Sequence, residues 1–314
     1  MTGRHARRMH RNRRNGGTAL NRVRRMLPVM AAILLIMLGA GVALYPMAAN
    51  FVAQRAQAAV IADYGNAVAH LGRGDLDEQW RLARAYNDSL AVGGGTGGMD
   101  GAGAAIEYGS VLNIDGSGVM GYLTIPRIGA RLPIRHGTSE TVLAEGAGHL
   151  ETSALPTGGS GLHSVLTGHR GLPSAELFTR LDELERGDAF TVTVLNETHR
   201  YRVIDIQVVK PDDVAKLAAQ PGRDLVTLVT CTPYGINTHR LLVTGERDGD
   251  AAETNSAISG GVTVRRQEDP AGVWLGRVGL AFAALVAVGS AAAAGALSIS
   301  KKSQARKHNE HRIR

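Results

Sequence analysis

Two hydrophobic rhythms divide the chain. Between residues 53 and 90, apolar side chains recur every three or four positions, as at Val60, Tyr64, Ala67 and Leu71. That spacing predicts amphipathic helix, and Gly72 and Gly74 should interrupt it. From residue 118 the runs shorten and alternate, as strands with one buried face do. They read "VMGYLTIPRI" (119–128), "ARLPIRHG" (130–137), "HSVLTGH" (163–169), "AFTVTVL" (189–195), "THRYRVIDIQVVK" (198–210), "DLVTLVTC" (224–231) and "THRLLVTGE" (238–246). Seven or so strands at this spacing predict a closed barrel or a sandwich. One stretch among them, "SAELFTRLDELER", predicts a helix capped by Ser174 with Leu177, Leu181 and Leu184 as its buried stripe. A domain of about 130 residues can bury a sufficient core without disulfides.

Two further stretches have no rhythm because nothing in them is charged: residues 27–49 and 278–300. At 1.5 Å per helical residue each can cross a hydrocarbon layer of roughly 30 Å. Charge supports that reading. Nine arginines fall within residues 1–26, and six Lys/Arg against Glu310 fall within 301–314, so the tails hold +14 of a net +7 and the rest of the chain is acidic. The basic pI therefore marks the flanks of membrane segments, not a nucleic-acid surface. By the positive-inside rule both termini are cytoplasmic and residues 50–272 lie outside. A cleaved signal peptide is the alternative for residues 27–49, but the apolar core is too long and the small-x-small site comes only near residues 56–58.

The organisation expected is a basic tail (1–26), a membrane helix (27–49), an extracytoplasmic helical region (50–91), a flexible connection (92–110), the β domain (111–248), a linker (249–277), a second membrane helix (278–300) and a basic tail (301–314). The connection is glycine-rich, with seven glycines between positions 92 and 105, and cannot form a packed core.

Export makes the single cysteine informative. One cysteine closes no internal disulfide, so Cys231 is a buried spectator, an intermolecular bridge or a reactive thiol. Alternation places Thr227, Val229 and Cys231 on one face of their strand and Leu228 and Thr230 on the other. The segment "TPYGIN" has turn chemistry. If the chain folds back symmetrically about it, Arg240 lies opposite Cys231 on the same face. A guanidinium there favours the thiolate and can bond a carbonyl or its developing oxyanion. Acyl transfer also needs a proton donor for the leaving amine, and histidine suits the pH. His169 sits where a strand runs into the turn residues of "LTGHRGLPS". His136, His149 and His163 read as ordinary partly buried rings. The acids Asp182, Glu183 and Glu185 read most simply as a solvated face, with a calcium site as the alternative.

The segment "TLVTC", Arg240 nine residues later and "TGH" about sixty residues upstream resemble the sortase family of cysteine transpeptidases. The strings "GVMGYLTIPRI", "LPIRHGTS", "GHLETSALPTGG", "HSVLTGHRGLPSAELFTRLDEL" and "TLVTCTPYGINTHRLLVTGER" resemble class C sortases, the pilin polymerases of Gram-positive bacteria. The resemblance covers residues 111–247 and extends to the two flanking membrane segments. It implies a mainly β fold: a closed eight-stranded barrel with short helices, preceded by the helical region. It also implies Cys231 as nucleophile, His169 as acid/base and Arg240 as stabiliser, with no metal or organic cofactor.

The implied reaction cleaves an LPxTG-like signal between Thr and Gly, holds the Thr carbonyl as a thioester on Cys231 and passes it to a lysine amine of another pilin subunit. The implied partners are sorting signals, that lysine and the membrane. The alternatives are a sortase that anchors single proteins to peptidoglycan and a non-catalytic surface module with an inert cysteine. One departure stands out. The Asp-Pro-aromatic lid motif common in class C is missing, and the glycine-rich stretch offers only Asp100. A less occluded thiol is expected, and no lid residue is carried over.

Overall fold

The structure, a computed structural model, describes residues 6–93, 98–99 and 105–249. The second apolar stretch, the linker before it and the C-terminal tail lie outside the described residues, as does Asp100. Helix α1 (Ala6–Ala69) runs without a break from the basic tail through the apolar stretch into the amphipathic region. Between Met26 and Ala69 it is long and apolar enough to cross a membrane. A turn at His70–Gly72 leads into α2 (Arg73–Gly93), close to the glycines expected to break the helix.

The β domain closes into a barrel. In chain order its strands are β1 (Val119–Ile125), β2 (Ala130–His136), β3 (Ala147–His149), β4 (His163–Thr167), β5 (Ala189–Val194), β6 (Glu197–Val209), β7 (Leu225–Thr232) and β8 (His239–Arg247). Around the barrel they run β8-β6-β5-β1-β2-β3-β4-β7, and β7 pairs with β8 to close the ring. Two pairings are parallel, β2 with β3 and β4 with β7. Inward positions of the alternating runs fill the interior: Leu123, Ile125, Ile134, Leu166, Val192, Leu228 and Val243 are buried, and Phe190 stacks on Tyr201 at 5.5 Å. Gly121 is required where β1 crosses β5, because a Cβ there would stand 2.3 Å from the Thr193 carbonyl oxygen.

The helices are part of this body. The Tyr64 hydroxyl donates to the Met120 carbonyl at 2.9 Å and accepts the Leu195 N–H at 2.8 Å, and burial pushes its ionisation far up. On α2, Asn87 accepts the Leu155 N–H and donates to the Thr157 hydroxyl, while Tyr86 donates to the Glu151 carbonyl. The end of the stretch expected to be a flexible connection also packs: Ile106 is buried and Tyr108 lies against the core. Tyr108 accepts the Gly137 N–H and meets the His149 ring nitrogen at 2.8 Å. Tyr64→Phe should lower stability by about 1–3 kcal/mol, because it strands a buried N–H and a buried carbonyl. Urea unfolding of the variant checks this; an unchanged midpoint would mean the helix is not clamped to the barrel.

The helix expected from Ser174 does not form. Residues 173–180 are turns broken by a bridge at Ala175, and only Leu181–Glu183 is helical, as one 3-10 turn. Leu177 adopts φ +43°, the Phe178 N–H bonds the His169 carbonyl and Thr179 accepts the Gly171 N–H. These contacts pull the backbone off a helical path. Leu177, Leu181 and Leu184 are nonetheless all buried, so the stripe was a sign of burial and not of helix.

Candidate active site

β7 carries the cysteine between two environments. Leu228 belongs to the barrel interior, while Val229 packs outside with Val165 and Leu242, flanked by Leu150, Val209 and Leu217. Cys231 is two residues beyond Val229, and so lies on the outer face where this apolar strip ends. It is half-buried and unbridged.

The turn after β7 is symmetric about its midpoint, as the spacing required. Arg240 is the direct partner of Cys231 in the antiparallel ladder, and His239 pairs with Thr232. The guanidinium folds over its own turn, donating to the carbonyls of Asn237 at 3.3 Å and His239 at 3.1 Å.

His169 arrives from the other neighbour of β7. The parallel ladder pairs Thr167 with Val229. The Gly168 N–H then donates to the Val229 carbonyl, and the Thr230 hydroxyl donates to the Gly168 carbonyl at 2.8 Å. His169 is thus two residues past Thr167 as Cys231 is two past Val229, which brings both to one end of adjacent strands. Gly168 has no room for a side chain, since a Cβ would stand 2.7 Å from the Phe178 ring. The His169 Nε2 lies 3.1 Å from a carboxylate oxygen of Glu140, the first residue of α3 (Glu140–Glu145), which Ser139 caps.

Sequence reasoning passed over three supporting residues. Arg170 donates to the Thr232 hydroxyl at 3.0 Å and to Asp182 at 2.5 Å, tying the His169 loop to the strand next to Cys231. Thr230 and Glu140 act on His169 from 61 and 29 residues away, separations that no local pattern reveals. Arg170 alone had a visible signal, its place beside the candidate histidine.

His136, His149 and His163 are held by the fold. Burial pushes His149 down to about 4, and its Nε2 faces the Ala154 carbonyl at 2.8 Å. His163 lies between the Ala218 carbonyl and the Thr227 hydroxyl and is also lowered by burial. His136 faces the carbonyls of Gly118 and Val111. The acids of the 181–185 stretch do not converge. Asp182 pairs with Arg170, Glu183 with Arg180 and Glu185 with Arg127, and no group able to hold a metal occurs among the described residues.

These rings set a pH limit. Burial holds His149 near 4 when folded, against 6.5 in the free side chain. As pH falls below 6.5 the unfolded chain takes the proton first, so stability is lost between pH 6.5 and 4, by roughly 3 kcal/mol at about 1.4 kcal/mol per pH unit. His199, also held down by burial to about 4, acts in the same direction. Asp224, raised by burial, offsets part of the loss. Urea midpoints measured from pH 7 to 4.5 should fall, and His149→Gln should flatten the slope. A slope unchanged in that variant would exclude His149 as its source.

A half-buried thiol facing an arginine across a strand pair, with a histidine at the end of the next strand, on the outside of a closed eight-stranded barrel, defines a class of β-barrel cysteine proteins. Comparison with known proteins agrees. A sortase domain matches residues 123–248. The crystal structure of sortase C1 from Streptococcus agalactiae is 49% identical, covers 60% of this chain and 97% of its own, and superimposes with a TM-score of 0.55. A pilus-related sortase C of Group B Streptococcus is 40% identical over 60% of this chain and 96% of its own, with a TM-score of 0.53. Sortase D of Bacillus subtilis (strain 168) is 32% identical over 130 residues, 40% of this chain and 63% of the relative. The chain belongs to the sortase family. The chain spans just under two thirds of that Bacillus relative and nearly all of these two solved sortase C chains.

Proposed function

We propose that this chain is a membrane-anchored cysteine transpeptidase that joins pilin subunits, with Cys231, His169 and Arg240 as its catalytic residues. The observation that supports it most directly is the register of Arg240 against Cys231, with His169 delivered to the same strand end. Likeness to a pilus-related sortase C supports the pilin substrate.

The chemistry follows from the three side chains. The Cys231 thiolate attacks the Thr carbonyl carbon of an LPxTG-like signal, forming a C–S bond and an oxyanion that the Arg240 guanidinium bonds. Collapse breaks the Thr–Gly C–N bond, and the His169 imidazolium gives the leaving amine its proton. A lysine amine of the next subunit then attacks the thioester and passes a proton to His169. The C–N bond of an isopeptide forms as the C–S bond breaks. In this reading the barrel lies outside the membrane, two spans anchor it and both termini are cytoplasmic; the run of arginines before α1 turns apolar supports the first of these orientations.

The test is incubation of the protein with an LPxTG-type peptide and a lysine-bearing pilin peptide. The expected products are a mass adduct on Cys231 and an isopeptide-linked conjugate. An adduct resolved only by a peptidoglycan amine would make it an anchoring sortase. No adduct at all would leave a non-catalytic surface module.

A further inference from the structure

We propose that the turn between β7 and β8 rests on the lipid bilayer, inserting Tyr234 and Ile236 at the headgroup level. The inference depends on residues 27–49 spanning the membrane. Tyr234 is 59% exposed and Ile236 67% exposed, two large apolar side chains held out of the core on a tight turn. A barrel with a filled interior does not need them there.

Three contacts measure how far this turn is from the membrane. Asn50 directly follows residues 27–49, and its side-chain oxygen accepts the Glu176 N–H at 3.0 Å. Leu172 and Ala175 face each other in an antiparallel bridge, so their outer neighbours Gly171 and Glu176 are also brought across from each other. Gly171, at φ +83°, lies against the Tyr234 ring, which leaves no room for a Cβ there. From the membrane exit to Tyr234 is therefore one hydrogen bond, one strand-pair spacing of about 5 Å and one ring contact. The headgroup layer is itself roughly 5–8 Å deep on each side of the hydrocarbon core. An apolar turn held at that level meets lipid.

The barrel has little freedom to rise away. Helix α1 continues unbroken from the apolar stretch to Ala69, and Tyr64 and Gln57 bond the barrel along it. Nearby arginines do not compete for the apolar tips, since Arg170 and Arg180 are paired with Asp182 and Glu183. Tyrosine with an apolar body and a polar tip suits an interface of this kind. One functional consequence concerns the thiol. Cys231 lies three residues before Tyr234, so it would work close to the lipid surface.

The experiment uses the full chain in vesicles of equal parts phosphatidylcholine and phosphatidylglycerol. A nitroxide is placed at Ile236→Cys in a Cys231→Ala background, and its collision rates with oxygen and with a water-soluble nickel chelate are read by power-saturation EPR. Leu35→Cys reports the apolar stretch. Ser160→Cys, exposed beside the start of β7 at the far end of the barrel, reports water. Nickel access at position 236 should be at least about threefold below that at 160, with raised oxygen access, as for side chains at an acyl boundary. The same reading is expected at Tyr234→Cys. Equal nickel access at 236 and 160, with Leu35→Cys shielded, overturns the seating while leaving the anchor intact. An unshielded Leu35→Cys removes the anchor, and the seating with it. Shielding at 236 that appears only after a sorting peptide is added overturns it in favour of a substrate contact.

Discussion

Cys231→Ala should abolish both the thioester adduct and the transfer product, lowering turnover by more than about a thousandfold, because every step of the proposed reaction passes through that sulfur. No other thiol can substitute, since the chain contains one cysteine. The fold should be indifferent. Cys231 is half-buried at the edge of the outer strip, outside both buried clusters, so the loss in stability should stay within about 1 kcal/mol. Circular dichroism and a urea midpoint on the same sample separate the two effects. Cys231→Ser is a stricter form of the test, because it keeps the shape and replaces the thiol by a hydroxyl that is scarcely ionised at neutral pH. It too should fail to accumulate an adduct. A tenth of wild-type turnover in either variant would exclude the sulfur as the nucleophile.

The sequence exposed the centre of this site because its geometry is local. Cys231 and Arg240 are joined by a turn of six residues whose symmetry decides their register, and strand alternation then decides their face. Neither inference needs the rest of the fold. Most strands were legible for the same reason, since alternation survives wherever one face is buried. β3 was not, because Ala147–His149 is three residues long and offers no period to count.

The helix expected at 174–186, which does not form, shows the opposite failure. Its leucines are spaced as on a helix and are buried as on a helix, yet the backbone is drawn to His169 and Gly171 by bonds that only the closed barrel brings within reach. Apolar spacing records which side chains leave water; it does not record which carbonyl will claim a given N–H. The supports of His169 were invisible for that reason too. Glu140 meets its ring, and Thr230 the carbonyl of Gly168 beside it, only because β4 lies between β3 and β7 in the barrel order.

Arg240 offers the sharper test of mechanism, because charge and shape can be removed separately. Its guanidinium is a planar fork with several donors, already directed over the turn by the carbonyls of Asn237 and His239. Arg240→Ala removes both properties and should cost about a thousandfold in kcat, the scale of losing one preorganised oxyanion donor, with KM little changed. Arg240→Lys keeps the charge but offers a single flexible ammonium, so a loss of about a hundredfold is expected. Alkylation of Cys231 by a small neutral reagent has no oxyanion to stabilise, and so senses only what the cation does to the thiolate. If Arg240 acts mainly on the oxyanion, alkylation in both variants should stay within about tenfold of wild type while transfer collapses. Alkylation that falls in step with transfer would reassign Arg240 to the thiolate. A lysine variant within threefold of wild type in both assays would mean that a point charge suffices and that the fork has no role.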